Sequence, residues 1–91
     1  MDKEIIVNCI TKLDETAEVL YRNDVNMGLA KMNLVIPYIA MISTEITDEE
    51  LQGKLVNDAL TPALEAMENK DATLLADIIT YELKPILEGL L

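Results

Sequence analysis

Apolar residues return every three or four positions along four successive segments, and a short polar break rich in Asn, Asp or Thr separates each segment from the next. That period gathers the apolar side chains of a segment on one face of an α-helix. Such a face must be buried against another element. The first helix is predicted over 2–22, with Ile6, Ile10, Leu13, Ala17 and Leu20 on its dry face and Glu4, Lys12, Glu15 and Arg22 among its wet positions. Asn23-Asp24 ends it, because both residues favour turns and caps. The second helix is predicted over 25–43. The third is predicted over 47–68, with Thr47 as its N-cap, Glu50 at the capping-box position, and Ile46 and Leu51 spaced as a hydrophobic staple. The fourth is predicted over 71–88, with Asp71 as the cap and Gly89 as the stop.

Helices of about 20 residues span about 30 Å. Short turns between them make each return alongside the one before. The expected fold is therefore all-α, an antiparallel up-down-up-down four-helix bundle with proline kinks, forming a single domain over 1–91. Pro37, Pro62 and Pro85 all fall inside predicted helices. Each removes a backbone donor and clashes with the carbonyl four residues back, at a cost of about 3 kcal/mol. Two readings stay open: the prolines bow the helices and open a groove, or some mark breaks, with Thr61-Pro62 as cap and first position of a new helix.

Charge and composition exclude most chemistry. The 91 residues carry seven Lys plus Arg against seventeen Asp plus Glu, a net charge of −10, and no His. That field repels phosphate, so neither nucleic acid nor an anionic membrane is an expected partner. Without His, the commonest general base and metal ligand are missing, and the lone Cys9 lacks a partner for nucleophilic catalysis or a disulfide. No enzyme activity, metal or cofactor is expected. Asp14, Glu15 and Glu18 are read as a solvated face, because no loop has the spacing of a calcium site. The apolar run 34–42 is nine residues long, short of the roughly 20 that a membrane span needs. The opening residues lack a basic stretch followed by an apolar one, which points to the cytoplasm.

The second helix carries the functional expectation. From Leu34 to Ile42 it is apolar on every side, more than one face of a small bundle hides. Val35, Tyr38, Ile39 and Ile42 are the predicted interface of a non-enzymatic protein-interaction module. Its partner is expected to be another protein or a second copy in a homodimer. Two alternatives come from other classes: an apolar small molecule held between kinked helices, and an acidic mimic that inhibits a nucleic-acid-binding protein. Lys12, Arg22, Lys54 and Lys84 interrupt the acidic faces that such a mimic needs.

The stretch Ala63-Leu64-Glu65-Ala66-Met67-Glu68-Asn69-Lys70-Asp71, followed by Leu74-Leu75-Ala76-Asp77-Ile78-Ile79, resembles the last hairpin of the flagellin-type export chaperones. It is similar also to small helical bundles of Firmicutes. The Leu20-Tyr21-Arg22-Asn23-Asp24 turn has the same style. The resemblance covers about twenty residues and implies a small cytoplasmic helical bundle that holds a protein partner.

Overall fold

The computed structural model describes residues 2–91 and has four helices, with no strand among the described residues. Helix α1 is Lys3–Tyr21 and α2 is Val25–Glu45. Helix α3 covers 49–68 as three continuous segments: α-helical Glu49–Gly53, π-helical Lys54–Leu60 and α-helical Thr61–Glu68. Helix α4 covers 72–89 in the same manner, with Ala72–Ile78, π-helical Ile79–Leu83 and Lys84–Gly89. Together they make a helical bundle of 36 × 23 × 19 Å.

An aspartate starts every helix. The side chain of Asp2 accepts from the Glu4 N–H, Asp24 from Met27, and Asp71 from Leu74. At α3 the cap is Asp48, which accepts from Glu50 at 3.0 Å and Leu51 at 3.2 Å, and not the expected Thr47. A carboxylate satisfies two orphan N–H groups here and places a full negative charge at the positive end of the helix, which a threonine hydroxyl cannot match. Two of the three breaks share one geometry. Asn23 and Lys70 take left-handed backbone conformations, with φ of 65° and 53°, and the next residue's N–H reaches five residues back, Asp24 to Val19 and Asp71 to Ala66. These bonds cap the carbonyl end of one helix while the aspartate caps the start of the next. Asn tolerates the left-handed region, whereas Lys has no side-chain device to offset its cost of about 1–2 kcal/mol.

Pro62 and Pro85 are accommodated by the π turns that precede them. The Thr61 N–H bonds to the Val56 carbonyl and the Lys84 N–H to the Ile79 carbonyl, each five residues back rather than four. The wider turn lets the chain pass the proline ring, which would otherwise press on the carbonyl of Asp58 or Tyr81. Thr61 has helical dihedrals, φ −61° and ψ −49°, and no side-chain cap bond, so it does not open a new helix. The two π segments lie against each other, with Leu55, Ala59, Ile79 and Leu83 all fully buried. Pro37 sits inside continuous α-helix.

The core is aliphatic. Ile6, Leu13 and Leu20 of α1 are fully buried, and α1 approaches both α2 and α4 closely, while α3 packs along α4. Lys84 of α4 pairs with Asp14 of α1, and the Tyr21 hydroxyl donates to Asp77 of α4 at 2.6 Å. The α1–α2 approach depends on Gly28. A Cβ there would lie 2.2 Å from Leu20 Cδ2 and 2.6 Å from Leu20 Cγ. Gly28→Ala gains helix propensity yet should lower stability by about 1–3 kcal/mol in a urea titration, because the buried Leu20 must leave its site. Lys70→Gly should raise stability by about 1 kcal/mol in the same titration, by releasing the left-handed penalty.

Candidate interaction surface

Helix α2 presents two apolar faces of different fate. Gly28, Met32, Val35, Ile39 and Ile42 recur at helical spacing on the inner face, all buried. Met27, Leu34, Tyr38 and Met41 lie on an outward face, with Leu34 72% and Tyr38 55% exposed. Of the four predicted interface residues, Val35, Ile39 and Ile42 belong to the core and are closed to a partner while the bundle is intact. Tyr38 alone is at the surface. The correction has a simple cause. Positions 35, 39 and 42 follow the i, i+4, i+7 rule of a single face, and the bundle takes that face first. The signal that locates the outward face is a second spacing: Met27, Leu34 and Met41 stand seven residues apart.

Beside this outward face a groove of about 500 Å³ runs between α1 and α2, lined by Ile5, Cys9, Lys12, Lys31, Leu34 and Tyr38 among others. Its buried lining residues are Cys9, Thr16 and Val35, and Glu15 adds a charge beside Lys12 and Lys31. Lys12 pairs with Glu15 at 3.8 Å, and the Thr16 hydroxyl donates to the Lys12 carbonyl at 2.7 Å within α1. Lys31, on the α2 side, has no ion-pair partner among the described residues. The groove lies between the first two helices.

Two titratable groups are shifted by their surroundings. Burial pushes the Cys9 thiol from 9.0 up to about 11, so it stays a protonated small hydrophobe at neutral pH. The hydrogen bond to Asp77 raises the Tyr21 phenol. No three His, Cys, Asp or Glu side chains converge on a common point among the described residues, Asp14, Glu15 and Glu18 included. By length and composition α2 is, among the described residues, long and apolar enough to cross a bilayer, which the nine-residue run did not suggest. Its helix extends well beyond that run, from Val25 to Glu45, and a core helix of a folded bundle meets the same criterion.

The chain belongs to the family described as Domain of unknown function (DUF8042), which matches residues 3–91. No curated protein and no solved structure matches it.

The Cys9 shift gives a pH dependence. The unfolded chain releases this proton near pH 9.0, whereas the fold holds it to about 11. The associated stability is fully present below pH 9.0 and is lost as pH rises towards 11. Urea midpoints measured across this window should fall less steeply for Cys9→Ala than for the wild type. Tyr21→Phe separates the contribution of the same sign from the phenol.

Proposed function

We propose that this protein is a non-enzymatic, cytoplasmic interaction module of adaptor or chaperone-like kind, which docks on other protein through the outward face of α2. The reading takes the chain as an antiparallel up-down-up-down bundle, in keeping with three-residue breaks at 22–24, 46–48 and 69–71, and takes the prolines as sources of helix curvature. The observation that carries it is the exposure of Leu34, Tyr38, Met27 and Met41 on one side of one helix. Single apolar side chains on a surface are ordinary, but four along one side of the most apolar helix, three of them on successive turns, favour a covered surface. Tyr and Met are also residue types that interfaces favour, one as a rigid amphipathic plate and the other as an adaptable filler. The net charge of −10 keeps the free chain soluble and favours partners with basic rims. The resemblance of residues 63–79 to the last hairpin of export chaperones agrees with a role in holding a protein partner.

Bilayer insertion is the competing use of the same helix. It would draw Val35, Ile39 and Ile42 out of the core and leave the inner stripe of α1 uncovered, so docking with the bundle closed is favoured.

The test places a photo-crosslinking residue at position 34, or at the exposed Glu65 of α3, in the full chain inside the cell that makes it. Protein adducts are expected from position 34 and none from 65. Equal yields, or none from 34, would overturn the reading. Leu34→Glu should abolish the association yet shift unfolding stability by no more than about 0.5 kcal/mol, since the side chain is exposed in the free chain.

A further inference from the structure

The outward face of α2 has a register. Met27, Leu34 and Met41 are seven residues apart, and Lys31, Tyr38 and Glu45 are seven apart in their turn, interleaved at alternating steps of four and three. That is the a/d pattern of a coiled-coil seam over six consecutive positions, with Met27, Leu34 and Met41 as d and Lys31, Tyr38 and Glu45 as a. Five of the six are exposed, and the half-buried Lys31 lines the groove beside α1 together with Leu34 and Tyr38. The bundle's own contact face on α2 is the separate series Gly28, Met32, Val35, Ile39 and Ile42. The two charged members of the seam lie at opposite ends and have opposite signs. Neither Lys31 nor Glu45 forms an ion pair among the described residues.

We infer that the seam is occupied by α2 of a second copy of this chain, running antiparallel, in a two-fold symmetric dimer. The inference rests on the reading of this face as a docking surface, and names its partner. Charge selects both the partner and the direction. A parallel pair would set Lys31 against Lys31 and Glu45 against Glu45. In the antiparallel pair Leu34 of each copy faces Tyr38 of the other, and Lys31 faces Met41. Lys31 then stands within one helical turn of Glu45 of the second copy, close enough for an ion pair on each side of the axis. The stripe is thus complementary to its own reverse, which a two-fold interface requires and a surface built for an unrelated partner does not. A charged residue at an a position fixes register and partner number at the expense of strength. With so few apolar side chains per copy the dimer belongs with the weak, reversible class.

The test is light scattering on the purified full chain from low to high micromolar concentration at moderate salt, which screens the repulsion between two copies of charge −10. The wild type should pass from monomer to dimer. Lys31→Glu alone and Glu45→Lys alone should each weaken the dimer about tenfold, since each turns two attractions into two repulsions. The combined reversal should restore it to within about threefold, and a mixture of the two single variants should dimerise more tightly than either alone. Glu45 is exposed and Lys31 half-buried, so the urea midpoint of each monomer is measured beside its dimer constant, and loss of the dimer at an unchanged midpoint separates the effect from misfolding. A dimer indifferent to these reversals would overturn the register. A strict monomer at every concentration would overturn the second copy as occupant. If position 34 still crosslinks to a different protein in the cell, the docking surface itself survives that result.

Discussion

The inner stripe of α1 is the constraint around which the other helices are arranged. Ile6, Leu13 and Leu20 are fully buried, and α1 has close backbone approaches to both α2 and α4. The α2 approach is possible because Gly28 has no Cβ to meet Leu20, and the α4 approach is held at the surface by Lys84 with Asp14 and Tyr21 with Asp77. Helix α4 is shared with α3. Helix α2 makes its extensive approach to α1 alone, so one side of it has work to do inside the bundle and another side does not. An exposed apolar stripe on α2 follows from that arrangement, because the neighbouring helices are already engaged.

The prolines show how a local penalty is absorbed without breaking an element. In α3 and α4 a π turn precedes the ring and moves the hydrogen bond back by one residue, so the carbonyl the ring would strike is carried aside. The two widened segments then pack together and bury Leu55, Ala59, Ile79 and Leu83. Burial of Leu55, Ile79 and Leu83, each worth about 2–3 kcal/mol, offsets a turn that propensity alone disfavours. Helix α2 carries Pro37 inside plain α-helix, and its apolar inner face keeps it attached to α1.

The surface chemistry separates two tasks. Exposed acids make copies of the molecule repel one another, whereas the outward face of α2 is apolar. Any contact there would form against a background of general repulsion. Such a balance would suit reversible association.

Much of the architecture was readable from residue order. Four helices, their breaks at Asn23-Asp24 and Lys70-Asp71, and the dry face of α1 come from local rules of period, capping and turn preference, which act within a few residues of chain. The cap of α3 was misplaced by one residue, because Thr47 and Asp48 are both good caps and the choice between them depends on where the preceding chain leaves α2. The site was half legible. Residue order marks 34–42 as apolar all round, but which side of such a helix faces inward is not a local property. It was the packing of α2 on α1 that buried Val35, Ile39 and Ile42 and left Leu34, Tyr38 and Met41 in water, since a helix with two apolar faces is oriented by the neighbour that covers one of them.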